Sequence, residues 1–171
     1  MLVLIKGAGD LATGTAVRLY RAGIKVVMTE VARPTAVRRT VAFSQCMYDG
    51  AAQVEGIAAR RAEDAGAARR ALERGEVPVL CDPEAAILGE LPFGGVVDAI
   101  LAKRNLGTAI TDAPVVLALG PGFTAGVDCH GVVETMRGHD LGRLLTRGSA
   151  APNTGVPGDV GGYTIQRIIR A

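Results

Sequence analysis

Residues Gly7-Ala8-Gly9-Asp10-Leu11-Ala12 form a G-x-G-x-x-A pattern, placed after an apolar run at 2–5 and ahead of small residues at helical spacing, Ala12 and Ala16. In that context the pattern holds a phosphate. Gly7 permits the tight turn, Gly9 lets the phosphate approach the backbone, and the free N–H groups and positive dipole end of the helix favour an anion. Leu11 and Thr13 stand in the first turns of that helix. Glu30 closes the next apolar run, 21 residues past Gly9, where a carboxylate accepts hydrogen bonds from a ribose diol and favours an NAD-like over an NADP-like ligand. Asp10 complicates this picture because it sets a carboxylate beside the expected pyrophosphate. Either it caps the helix and aims away, or the ligand meets it through hydroxyl or amino groups. A structural turn without a ligand is the plainer alternative for the whole segment.

Further groups lie downstream. Gly120-Pro121-Gly122-Phe123 is a second glycine turn at the end of an apolar run; it either presents backbone donors to a ligand or is turn chemistry alone. Asp98 and Lys103 flank the end of another run, and Lys103 could meet a phosphate or simply be solvated. His130 and His139 fall among Asp128, Glu134, Arg137 and Asp140. On a strand, Asp128, His130 and Glu134 would share one face, fit for a metal, a proton shuttle or a polar ligand, or for nothing beyond a solvent-facing edge. His130 and Arg137 are read as pocket residues, and the pattern specifies neither a metal site nor a catalytic residue. P-loop, G-x-S-x-G and H-E-x-x-H patterns do not occur.

The elements that must position these residues alternate. Strand, turn, helix and strand account for 2–28, with Gly23 as the helix stop. A helix is expected over 35–40 with Pro34 in its first turn, a strand over 54–59, a helix over 62–74 ended by Gly75, and strands over 77–80, 95–99 and 115–119. After Gly122 the pattern changes to strand-like alternation over 127–136, a short apolar segment at 141–146, turns over 152–162 and a strand-like end at 163–171. The expected fold is α/β: a Rossmann-like, mostly parallel sheet with an appended C-terminal β region. It is read as a single domain over 1–171, with an α/β core at 1–123 and a β-rich extension at 124–171.

A length of 171 residues is enough to bury a core without disulfides or metals. Hydrophobic residues make up 49% of the chain but occur in short runs, below the length of a membrane span, and the N-terminus lacks the pattern of a secretory signal. A cytoplasmic protein with no membrane partner is expected. Three cysteines, Cys46, Cys81 and Cys129, are widely separated and read as reduced core residues, with neither a disulfide framework nor a metal pattern. The net charge of +2 is dispersed and aromatics are 4% of the chain, which argues against a nucleic acid polymer as partner.

Several segments together resemble the YqeB family: Lys6-Gly7-Ala8-Gly9-Asp10-Leu11-Ala12-Thr13-Gly14, Val27-Met28-Thr29-Glu30, Arg38-Arg39-Thr40-Val41, Val97-Asp98-Ala99-Ile100-Leu101-Ala102-Lys103-Arg104-Asn105, Leu119-Gly120-Pro121-Gly122-Phe123 and Pro152-Asn153-Thr154-Gly155. These are accessory proteins of the selenium-dependent molybdenum hydroxylase system, distantly similar to XdhC-type accessory proteins, which carry a Rossmann domain. The resemblance implies a role in preparing or delivering a molybdenum cofactor. The implied partners are the hydroxylase apoenzyme and a nucleotide-containing small molecule, either an NAD-like nucleotide or a molybdopterin dinucleotide; a homo-oligomer is allowed. It also implies that this stretch corresponds to the N-terminal part of a longer protein, lacking a following lipoyl-like β domain. Cys46 and Cys129 stand where the family commonly has small or aliphatic residues, so the resemblance lends no support to a sulfur- or selenium-carrying role for them. Two other functions remain open: an NAD-dependent oxidoreductase using His130 or Lys103 for proton transfer, and a non-catalytic nucleotide-sensing scaffold.

Overall fold

The computed structural model describes residues 1–152 and 161–162. The chain forms two compact units, one of Met1–Ile100 with Asp112–Pro114, the other of Leu101–Thr111 with Val115–Ala171.

The first unit opens with β1 (Leu2–Lys6), α1 (Asp10–Arg21) and β2 (Lys25–Glu30). Leu4, Ile5, Val27 and Met28 have no exposed surface, as expected of parallel strands covered on both faces. Helix α1 turns Ala12, Ala16 and Val17 inward, small enough for close approach to the sheet. It ends where expected: Gly23 adopts φ +77, and its N–H and that of Ile24 donate to the carbonyls of Tyr20 and Leu19, closing the last turn.

The helix expected over 35–40 does not form. Residues 35–38 are irregular, and two 3₁₀ turns, Arg39–Val41 and Phe43–Gln45, and the short α2 (Cys46–Asp49) follow. Tertiary bonds win over local propensity in this segment. The Ser44 N–H donates to the carbonyl of Ala8 at 2.8 Å, the Phe43 N–H donates to Thr13 Oγ1 at 2.9 Å, and the Phe43 ring is fully buried.

The strand expected over 54–59 is instead a hairpin of β3 (Ala51–Val54) and β4 (Ile57–Ala62). Glu55 and Gly56 form its turn with φ of +49 and +81, the double left-handed geometry that matches strand twist. A central glutamate is an uncommon choice at such a turn, and the sequence pattern therefore ran through it. Asp64 caps α3 (Ala65–Glu73) by accepting from the Ala67 N–H. Strands β5 (Val77–Cys81) and β6 (Gly95–Asp98) complete the unit. Its strands run β3-β4-β5-β2-β1-β6, parallel throughout except for the β3–β4 pair.

The second unit contains β7 (Val116–Leu119), β8 (Gly131–Val133) and β9 (Leu144–Leu145). Strand β8 lies parallel to β7 and antiparallel to β9. The strand expected over 127–136 contracts to the three residues of β8, because the preceding stretch is a closed turn. The N–H groups of Val127 and Asp128 both donate to the Thr124 carbonyl, and the Asp128 carboxylate accepts from the Thr124 N–H at 2.7 Å. Cys129 packs fully buried. The fold is thus α/β, Rossmann-like and mostly parallel, with short β strands toward the C-terminus. The turns expected over 153–160 and the strand expected over 163–171 lie outside the described residues.

Candidate functional site

In the first unit, β1 is followed through α1 by β2 on one side and has β6 on the other. The chain therefore reverses its order between β1 and β6, and in open parallel sheets ligands bind beyond the carboxyl ends of the strands at such a point. Gly7, Gly9, Asp10, Leu11, Thr13 and Glu30 all gather at the carboxyl ends of β1 and β2, with Asp98 ending β6. Gly7 has φ +94, and a Cβ there would come within 3.0 to 3.2 Å of the Ala99 carbonyl and Ile100 Cα. Both its conformation and the neighbouring backbone demand glycine. Gly9 is the N-cap of α1, with open space around the position of a Cβ.

Glu30 reaches back to the turn. Its Oε2 accepts from the Ala8 N–H at 3.0 Å and its Oε1 from the Val31 N–H at 2.8 Å. A carboxylate has about four lone-pair sites, so each oxygen keeps capacity for a ligand hydroxyl. Asp10 is the first residue of the helix and not its cap. Its Oδ1 accepts from the Leu11 N–H at 2.9 Å, and its Oδ2 pairs with the Arg38 guanidinium. Two carboxylates thus occupy donors of the glycine turn and the helix start, where an ordinary dinucleotide would place its pyrophosphate.

Thr13 is buried; its hydroxyl donates to the Ala8 carbonyl and accepts from the Phe43 N–H, so it fastens the turn to the 3₁₀ segment. Leu11 is 45% exposed and borders a cleft of about 570 Å³ along the outer face of α1. Asp98 is buried, and its carboxylate accepts from the Ile100 N–H at 3.1 Å. Beside it stands Lys6, also buried and in register with both Thr29 and Asp98. Neither Lys6 nor Asp98 is without a partner. A lysine with 2% of its surface exposed is unusual; an apolar run interrupted only at its last position was the signal for it in the sequence.

Lys103, Gly120, Gly122, His130 and Arg137 belong to the second unit. A Cβ on Gly122 would fall 2.6 Å from the backbone of Arg104, and one on Gly120 would fall 2.7 Å from Thr135 Oγ1. These glycines serve the packing of the 101–104 loop, in which Leu101 and Lys103 themselves take left-handed φ of +61 and +62. The residues expected on one strand face are each committed separately. His130 accepts the Val116 N–H on Nδ1 at 3.0 Å, which assigns its proton to Nε2. Glu134 is buried and accepts from the N–H groups of Met136 and Ala151, each at 2.7 Å. Arg137 and His139 are exposed. No three of these acids, histidines and cysteines come together as a metal-holding group among the described residues.

Arginines were the main omission from the sequence-based site. Arg18 and Arg21 line the α1 cleft together with Arg38. Arg18 and Arg21 were legible as the polar face of a helix through Leu11 and Gly14. Arg38 reaches Asp10 only through the fold.

No helix among the described residues is long and apolar enough to cross a membrane. No family model and no solved structure matches the chain. One curated relative is similar over 170 residues at 56% identity: an uncharacterized protein named YqeB from Escherichia coli (strain K12). The alignment takes in 99% of this chain and 31% of that protein's length. Over this stretch the two sequences are homologous, and the comparison supports the YqeB family for this chain.

Proposed function

We propose that this chain is the nucleotide-binding part of an accessory protein that matures a selenium-dependent molybdenum hydroxylase. It would hold a nucleotide, or the nucleotide-bearing end of a molybdenum cofactor, as cargo. The observation that carries the reading is Glu30 at the carboxyl end of β2, hydrogen-bonded to the Ala8 N–H of the glycine turn beside the sheet's reversal point. That carboxylate is placed to accept a ribose diol and retains the lone pairs to do so. Asp10 opposes a pyrophosphate seated on the helix start, so the sugar end of a nucleotide fits this edge better than its phosphates do. The YqeB resemblance supplies the biological setting, with the hydroxylase apoenzyme as partner.

The oxidoreductase alternative assigns proton transfer to His130 or Lys103. His130 accepts a backbone N–H on Nδ1, so in that reading its proton transfer would run through Nε2; nicotinamide oxidation or reduction with a candidate substrate separates it from binding without turnover.

Thermal shift of the folded chain against NAD, ATP, CTP and molybdopterin dinucleotides tests the reading. A true ligand at a hundred times its Kd stabilises by about 2.7 kcal/mol, well above detection. If none of the four classes raises the midpoint, the nucleotide reading is wrong. Capture of the hydroxylase apoenzyme by the chain, with and without the stabilising nucleotide, tests the maturation role separately.

A further inference from the structure

The cleft of about 570 Å³ lies wholly within the first unit, between the outer face of α1, the Arg39–Val41 turn and the end of the β3–β4 hairpin. One wall is the helix face of Leu11, Gly14, Arg18 and Arg21; Val41 and Val54 stand among the opposing residues. Asp10 and Arg38 close one end as an ion pair. Arg21 pairs with Glu55 at 2.8 Å at the other, both side chains more than half exposed. Arg18, one helical turn before Arg21, has no side-chain partner among the described residues.

We infer that this cleft is an anion site, in which Arg18 and Arg21 take a phosphate group and the apolar wall residues cover the organic body attached to it. Three features carry the inference. The usual phosphate position at the start of α1 already holds the Asp10 carboxylate, so a phosphate is repelled there and must be met elsewhere. Arg18 and Arg21 lie three residues apart, side by side on one helix face, and offer planar donor forks that match phosphate oxygens. The competing Arg21–Glu55 pair is solvent-exposed, and exposed ion pairs of this kind are weak, so a phosphate can displace Glu55. From Asp10 to Arg18 the helix rises about 12 Å, enough to separate a phosphate at the arginines from a sugar near the glycine turn. This rests on the nucleotide reading in naming the phosphate's bearer and in the first of these features; the arginine pair and its weak competing ion pair stand without it.

Isothermal titration of the whole chain with inorganic pyrophosphate, at constant ionic strength, tests the cleft. Wild type is expected to bind, and Arg18→Ala to weaken binding on the order of tenfold. Arg147→Ala, which removes an equal charge from an exposed position in the second unit, should bind as wild type does. Circular dichroism confirms that each variant is folded. The cleft is overturned if wild type does not bind pyrophosphate, if Arg18→Ala binds it unchanged, or if Arg147→Ala loses as much. A nucleotide that stabilises wild type and Arg18→Ala equally removes the cleft and leaves the nucleotide reading standing. Pyrophosphate binding that depends on Arg18, with no nucleotide bound, does the reverse.

Discussion

Burial separates the three thiols more sharply than their spacing did. Cys46 is enclosed, and the loss of solvent pushes its thiol pKa up to about 12; Cys129 is equally buried, but Cys81, expected in the core, is exposed because it is the last residue of β5, where the strand's cover ends. The thiolate is the nucleophile, and access limits its reaction. Iodoacetamide at neutral pH should therefore add one group to the folded chain, at Cys81, and three after denaturation, as read by intact mass; early labelling of Cys46 would contradict its placement. Glu30 offers a second test at this scale. In Glu30→Gln one of the two backbone N–H groups loses its acceptor and the other keeps only a neutral one, so the variant should be less stable by about 1–3 kcal/mol in urea unfolding. Any nucleotide bound through its ribose should weaken as well. The loss of stability follows from the hydrogen bonds from Ala8 and Val31, the loss of binding from the proposed ribose contact.

Turns and strand ends give the next set of expectations. Gly122 combines φ +108 with 2.6 Å from a Cβ to the Arg104 backbone, so relaxation would require the 101–104 loop to move. Gly122→Ala should cost roughly 2–4 kcal/mol, and a urea midpoint within error of wild type would show that the loop is not held as described. Between β4 and β5 the Glu76 carboxylate accepts from Arg60 and Arg74. The hydrogen bonds from Arg60, then those from Arg74, hold its pKa below the ordinary glutamate range against the opposing effect of burial. A carboxylate with a depressed folded-state pKa stabilises fully above its unfolded value and loses that contribution as pH falls through the folded one. Stability measured down an acid series should thus fall more steeply in wild type than in Glu76→Gln; parallel curves would contradict the pairing.

For the molecule as a whole, protection should follow position in the sheet. Strands β1 and β2 have neighbours on both sides and residues with no exposed surface, while β3 and β9 each have a neighbouring strand on one side only. Local opening costs least where contacts are few and the backbone is wet. Amide hydrogen exchange should be slowest in β1 and β2 and fastest in β3 and β9; fast exchange in β1 would mean that the glycine turn is not built on a stable strand. This matters for function, because a binding edge is only as well placed as the strands beneath it.

Much of this arrangement was legible in the residues. Apolar runs of strand length, small residues at helical spacing, and Gly7 and Gly23 at the points of reversal specify the first βαβ unit, because burial periodicity and positive φ are local requirements. Glu30 was placed at the sheet edge by counting alone. Other features depended on partners distant in sequence. The 39–45 segment took 3₁₀ turns because Ala8 and Thr13 offered it hydrogen bonds, and Glu55-Gly56 made a hairpin of what read as one strand. Asp128, His130 and Glu134 parted because each found a separate backbone N–H. Whether a carboxylate faces a ligand or a neighbouring amide is decided by which group tertiary packing brings within about 3 Å. The sequence by itself therefore determined the elements and the edge on which a site could lie; only the tertiary structure decided that Asp10 would hold the start of α1 and that the arginines would line the cleft beside it.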